Sequence, residues 1–319
     1  MKQFLSVHDV PDVSLLVNKA LAYKKDPFRD GELGRHKTLG MLFMNPSMRT
    51  RISTQVAARN LGMEVVVFNV DKEGWQLEFQ DGVVMNGSKA EHVREAAAVL
   101  GQYFDILAIR TFPGLKNRDE DYSENYLQQF VRHAAIPVVS LESGTLHPLQ
   151  SLADLVTIRE LWKEGAGKPR VVLSWAPHTR ALPQSVPNSF AQWMTGWGGA
   201  DFVIAQPEGY ELSGEFTRGA TILHDQDQAL KDADFVYVKN WSSYSEYGQI
   251  LGSHPDWMIT AGKLKATREA RVMHCLPVRR NLVIADEVLD SASSVVTLEA
   301  GNRVWAAQAV LSEILKEGK

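Results

Sequence analysis

The chain has 319 residues, 45% of them apolar and 23% charged, with a formal net charge of −4. That size suits two globular domains, and the weak negative charge excludes a long-range field that would recruit nucleic acid or an anionic membrane. The single cysteine, Cys275, excludes an intrachain disulfide framework and a cysteine-based zinc site.

The first nine residues lack the apolar core of a signal peptide, and no apolar run is long enough to cross a bilayer, so a cytoplasmic protein is expected. Strand-like and helix-like segments then alternate. Strands are expected at Thr38–Phe43, Glu64–Asn69, Ile106–Arg110 and residues 137–140, and again at 171–175, 202–205, 235–238 and 271–274. Helices are expected between them, for example over 91–102, 122–133, 149–163 and 187–195. Such alternation implies an α/β fold of parallel sheets covered by helices on both faces. The two runs of strands imply two doubly wound domains of similar size, with the active site in the cleft between them. A Gly- and Pro-containing break at 164–169 follows the helix that ends the first domain, and the amphipathic stretch 302–316 is expected to pack back onto that domain.

Polar residues gather where these strands end. Arg110 closes one strand; Glu142 and His147 follow another; His178, Lys239 and the pair His274-Cys275 follow three more. In open α/β sheets ligands bind beyond the carboxyl ends of strands, so this placement points to one shared site. Ser47-Met48-Arg49-Thr50-Arg51 lies at the first strand-to-helix turn, where hydroxyls, guanidinia and free helix N–H groups can hold a phosphate. A helix capped by Ser47 with two solvated arginines fits that string as well. In His147-Pro148-Leu149-Gln150, Pro148 suits a first helical turn, and a neutral imidazole can donate to a carbonyl while the glutamine accepts from an N–H₂ group. In His274-Cys275-Leu276-Pro277 the carbonyls of Cys275 and Leu276 are better suited to accept from an amine or amide than the thiol is to attack, since no base is assured beside it.

These three strings, about 100 and then about 125 residues apart, resemble the signatures of the carbamoyltransferases, S-T-R-T-R, H-P-T-Q and H-C-L-P. The D-x-x-x-S-M-G loop of ornithine carbamoyltransferases is missing; Lys239-Asn240-Trp241-Ser242-Ser243-Tyr244 stands in its place. Met48, Trp75, Glu142 and the segment 175–190 are similar to the acylornithine branch of that family. The resemblance implies a carbamoyl phosphate-binding domain over 1–150, an acylornithine-binding domain over 151–301 and a C-terminal helix over 302–319. It implies no cofactor and no metal, and carbamoyl phosphate and an N-acylornithine as the molecules bound. Ser47, Met48, Arg49, Thr50 and Arg303 would hold the phosphate group; Thr50, Arg110 and His147 would surround the carbamoyl oxygen; Gln150, Cys275 and Leu276 would orient its amine. The family further implies a homotrimer in which Trp75 reaches a neighbouring subunit's site.

On the acceptor side the resemblance assigns Lys239 to the α-carboxylate and Glu142 to the acylated amide or the δ-amine. A succinyl tail adds a carboxylate, and His178, Arg180, Arg279 and Lys89 could meet its charge. Where the acetyl-specific pattern has a glutamate and the succinyl-type pattern a proline, this chain has Ala90, which repels nothing and leaves room. The pattern therefore favours N-succinyl-L-ornithine over N-acetyl-L-ornithine, within arginine biosynthesis. Ordinary ornithine carbamoylation is the alternative within the class. Outside it stand a dinucleotide-dependent oxidoreductase, against which the missing G-x-G-x-x-G speaks, and a non-catalytic ligand-binding relative.

Overall fold

The computed structural model describes residues 1–163 and 165–317. Glu164 of the expected break and Gly318 and Lys319 of the expected C-terminal segment lie outside the described residues. Eleven strands form among the described residues. In chain order these are β1 (Thr38–Phe43), β2 (Glu64–Asn69), β3 (Leu77–Glu78), β4 (Glu91–His92), β5 (Ile106–Arg110), β6 (Val138–Glu142), β7 (Arg170–Trp175), β8 (Asp201–Ala205), β9 (Thr221–Leu223), β10 (Phe235–Lys239) and β11 (Arg271–Met273). The chain divides into two compact units. One comprises Met1–Gly114, Asp119–Leu149 and the chain from Arg303 onward; the other comprises Leu115–Arg118 and Gln150–Asn302. Both boundaries between Leu149 and Gln150 and between Asn302 and Arg303 fall inside helices, Pro148–Leu161 and Val296–Glu317.

The first unit carries a four-stranded sheet, order β2-β1-β5-β6, with every pairing parallel. β1 and β5 are central and apolar on both faces, which is why they read as continuous hydrophobic runs. Leu42, Leu107, Ile109, Phe130 and Val138 form its core with Val93 and Ala97 of the helix Val93–Tyr103. That helix packs so closely that a side chain at Gly101 would meet the carbonyl oxygen of Ala134 at 1.9 Å. The chain proceeds from β1 outward to β2, then returns to β5 and moves the other way to β6. The direction of winding therefore reverses between β1 and β5, where an open sheet leaves a crevice at its carboxyl edge.

The second unit repeats the plan with five parallel strands, order β11-β10-β7-β8-β9. Its reversal lies between β7 and β10. Its core holds Trp175, Trp193, Trp241 and Tyr237, fully buried. The indole N–H of Trp175 donates to Trp241 O at 2.9 Å and that of Trp241 to Tyr210 O at 2.7 Å, so burial leaves neither donor unmet.

Several expected elements shift. β6 and β10 run on to Glu142 and Lys239, so these residues end strands rather than follow them. Glu91 and His92 pair with β3 instead of opening a helix. The stretch 122–133 is two helices, Arg118–Tyr122 and Asn125–His133, separated by Glu124 in the left-handed region. The last helix starts at Val296, so Arg303 lies in its interior rather than near its start.

Candidate functional site

Each sheet presents polar groups at its winding reversal. In the first unit β1 ends at Phe43 and the helix Arg49–Asn60 begins six residues later. Met48 occupies the N-cap position in a helical conformation and no side chain caps the helix, so the expected cap by Ser47 does not form. The first-turn N–H groups have no side-chain oxygen set against them, the condition under which a helix start can receive an anion. Met48 is 73% exposed, whereas Thr50 is buried. The buried face of this helix is small and polar, with Ser53, Thr54, Ala57 and Ala58 following Thr50, while Ile52 is exposed. Arg51 lies over the ring of Phe43, 5.3 Å from its centroid. Arg49 is partly buried, and its Nε has no hydrogen-bond partner among the described residues.

Four further residues join this turn within the same unit. Arg303 is buried and donates through Nη2 to the Thr50 hydroxyl. A hydroxyl that accepts there has its own proton to give elsewhere. A bulge between Ile109 and Arg110 sets Arg110 opposite Glu142 on β6, and the two form an ion pair. His147 Nε2 lies 3.6 Å from Glu142 Oε2. The imidazole is buried, and burial, then Arg303 and Arg110, hold its pKa well below 6.5. At neutral pH His147 is therefore an uncharged ring with one donor and one acceptor nitrogen, the form that can polarise a carbonyl. Arg303, expected by resemblance to contact the phosphate group, lies inside this cluster.

The turn before His147 is fixed by a residue the sequence did not single out. Glu124, half-buried, accepts from the Ser143 hydroxyl at 2.6 Å, Gly144 N at 3.1 Å and Thr145 N at 2.6 Å, and also from the Thr145 hydroxyl. Burial pushes its pKa up, and these donors pull it back. Gly144 has no alternative here, because a Cβ would come within 2.6 Å of Asp121 O.

In the second unit the loop after β7 is tied to the loop after β10. Asn240 donates to Ala176 O at 2.7 Å, and Gln184 to Ser242 O at 2.8 Å. His178 Nε2 accepts from Arg279 Nε at 3.1 Å, and Nδ1 lies 3.1 Å from both the backbone N and the carbonyl O of Arg180. Burial and the charges of Lys239, Arg279 and Arg180 lower the His178 pKa. These four residues form one cationic group. Lys239 is buried and its ammonium donates to Asn240 O at 3.2 Å. Lys89 is instead committed to Glu78 at 2.9 Å in the first unit.

Gln150, fully buried, donates to Asp154 Oδ1 at 2.7 Å and Glu299 Oε1 at 3.3 Å. Cys275 and Leu276 lie half-buried after β11, and Leu276 N donates to His274 Nδ1 at 2.8 Å. Trp75, 59% exposed, donates to Glu91 Oε2 at 2.8 Å, and Ala90 N donates to Gln76 O at 3.1 Å. Residues 81–90 are exposed without interruption. Among the described residues no group of three or more His, Cys, Asp or Glu is placed to hold a metal ion, and no helix is long and apolar enough to cross a membrane.

Residues 2–160 match the carbamoyl-P binding domain of aspartate/ornithine carbamoyltransferase, and residues 184–314 match the Asp/Orn binding domain of the same family. An N-succinylornithine carbamoyltransferase of Bacteroides fragilis is 47% identical over 318 residues, covering 99% of both chains. An N-acetylornithine carbamoyltransferase of Xylella fastidiosa is 30% identical over 338 residues, again covering 99% of both. A crystal structure of N-acetyl-L-ornithine transcarbamylase with one glutamate replaced by alanine, complexed with carbamyl phosphate and N-succinyl-L-norvaline, superposes with a TM-score of 0.91 at 29% identity, over 98% of this chain and 100% of that one. The chain belongs to the aspartate/ornithine carbamoyltransferase family and is a carbamoyltransferase of its N-acylornithine branch.

Proposed function

We propose that the chain transfers the carbamoyl group of carbamoyl phosphate to the δ-amine of N-succinyl-L-ornithine, releasing N-succinylcitrulline and phosphate as a step of arginine biosynthesis. The observation that carries the chemistry is the buried group at the carboxyl ends of β1, β5 and β6. There Arg303 bonds Thr50, Arg110 pairs with Glu142, and His147 stays neutral beside them. The choice of acyl group is supported by the 47% identity to an N-succinylornithine carbamoyltransferase. Ala90, with no negative charge, and the cationic group around His178 agree with it. A complex of N-succinyl-L-norvaline with an N-acetyl-L-ornithine transcarbamylase in which one glutamate is replaced by alanine points the same way.

In this reading Ser47, Met48, Arg49 and Thr50 hold the phosphate through the uncapped helix start, hydroxyls and a guanidinium. Thr50, Arg110 and His147 donate to the carbamoyl oxygen. The δ-amine, in its neutral form, attacks the carbonyl carbon; the oxygen gains negative charge, and fixed donors there lower the barrier by about 3 kcal/mol each. The C–O bond to phosphate then breaks, and the amine's proton passes to the departing phosphate. A free alkyl amine of this kind has a pKa near 10, so a site that admits only the uncharged form does part of the work. Bringing the two reactants together supplies much of the rest. Lys239 receives the α-carboxylate, and His178, Arg180 and Arg279 the succinyl carboxylate.

The enzyme acts in the cytoplasm as a homotrimer whose exposed 81–90 segment, with Trp75, reaches a neighbouring subunit's site. Support for the assembly is the apolar surface of the first unit, where Ile52, Val66, Trp75 and Val84 are all exposed. An end-point assay with carbamoyl phosphate and three amines tests the reading. Product is expected from N-succinylornithine, with little from N-acetylornithine and none from ornithine; product from ornithine alone would overturn it.

A further inference from the structure

Glu299 sits in the first turn of the helix Val296–Glu317 and is fully buried, as are Gln150 and Asp154 of the helix Pro148–Leu161. A buried carboxylate is costly unless its oxygens are met by donors. Glu299 meets both. Oε1 accepts from Gln150 Nε2 at 3.3 Å, and Oε2 accepts the backbone N–H of His274 at 2.8 Å. His274 Nδ1 in turn accepts the backbone N–H of Leu276 at 2.8 Å. One side chain thus holds the amide of Gln150 and the main chain of the turn that carries Cys275 and Leu276.

The pairing also decides which way the Gln150 amide faces. Its Nε2 lies against two carboxylate oxygens, from Asp154 and Glu299. An amide oxygen in that position would face two like-charged acceptors, so the nitrogen must be there, and the oxygen is turned to the other side. We propose that Glu299 is a positioning residue for carbamoyl phosphate. It turns the Gln150 oxygen outward to accept from the carbamoyl N–H₂ group, and through His274 it sets the turn whose carbonyls accept the second N–H. This rests on the reading above that Gln150 and that turn face the carbamoyl amine. Its consequence is selectivity: the enzyme distinguishes an N–H₂ group from a methyl group of the same size.

Calorimetric binding of carbamoyl phosphate and of acetyl phosphate, which lacks the N–H₂ group, tests this on the full-length protein. In Glu299→Gln one of the two donors now faces an N–H₂ group, so either the His274 turn or the Gln150 amide loses its hold. The preference for carbamoyl over acetyl phosphate is expected to fall ~10-fold or more, the scale of one charge-assisted hydrogen bond, with acetyl phosphate affinity kept within about twofold. Gln150→Ala is expected to lose the preference likewise. A normal preference in Glu299→Gln beside a lost one in Gln150→Ala would overturn the positioning role and leave the reading of Gln150 intact. A normal preference in Gln150→Ala would overturn that reading. Equal weakening of both ligands in Glu299→Gln would reduce Glu299 to a structural residue and overturn the proposal. Should Glu299→Gln not fold, Glu299→Asp, with two acceptors on a shorter arm, decides. A partial loss of preference supports the proposal, and an unchanged preference overturns it.

Discussion

The two sheets of this protein are wound alike but end differently. At the reversal of the first, the polar groups are largely buried and contact one another: Arg110 pairs with Glu142, Arg303 bonds Thr50, and His147 stays uncharged beside them. At the reversal of the second, His178, Arg180 and Arg279 are partly or fully exposed, and the positive charges of Lys239, Arg279 and Arg180 gather around the histidine. The same architecture thus supports a largely buried arrangement built around an ion pair in one unit and a more exposed cationic one in the other. The first suits chemistry that every member of a transferase family must perform. The second suits recognition of an anion that differs from member to member.

That contrast predicts how substitutions divide. Arg49→Ala should cost most: turnover of carbamoyl phosphate should fall ~10³-fold or more, the upper end of what a lost transition-state donor costs, with an unchanged circular dichroism spectrum. Retained activity would move the phosphate away from the helix start. His147→Gln should lower kcat ~10²-fold while leaving the KM for the acylornithine nearly constant, as steady-state kinetics would show. Arg279→Ala, by contrast, should raise the KM for N-succinylornithine ~10-fold, as expected for one charged hydrogen bond, and leave kcat alone. If both substitutions lowered kcat alike, the division of labour would collapse. Ala90→Glu should shift the ratio of succinyl to acetyl turnover several-fold toward the acetyl substrate, on the scale of a like-charge contact near the surface.

The smallest effect concerns stability. The native pKa of His147 lies well below the unfolded value near 6.5. The unfolded chain therefore takes up a proton that the folded chain refuses, and stability present above pH 6.5 is lost as pH falls. Urea midpoints measured between pH 7 and pH 5 should decline less in His147→Gln than in the parent protein. Parallel declines would mean that the ring is already charged when folded.

How far the sequence could be read depended on the kind of signal. β1, β2 and β5 are legible to the residue because their apolar runs are bounded by polar or turn residues. β9 is not, because its three residues, Thr221 to Leu223, lie at a sheet edge and are largely exposed, with no apolar run to announce them. Arg49, Thr50, Arg110 and His147 stand at strand or helix ends and are recognisable from that position and from their motifs. Glu124, Asp154 and Glu299 have no motif. Each is an acidic residue in an ordinary helical or turn context, and only the fold reveals the donors that meet it: Gln150 one helical turn before Asp154, and groups more than twenty residues away for Glu124 and Glu299. Of the two readings open for Ser47, the helix cap does not form, because Met48 takes that position and is already helical.

The bond between Arg303 and Thr50 spans 253 residues. At roughly 5–20 residues per second of synthesis, a nascent chain waits about 13 to 50 seconds between making the hydroxyl and making the guanidinium that engages it. The N-terminal sheet can assemble in that interval, but its polar centre stays unfinished until the helix Val296–Glu317 has been made. A message cut short just before the codon of Arg303 would yield a protein with its first sheet complete and its Thr50 hydroxyl without that guanidinium.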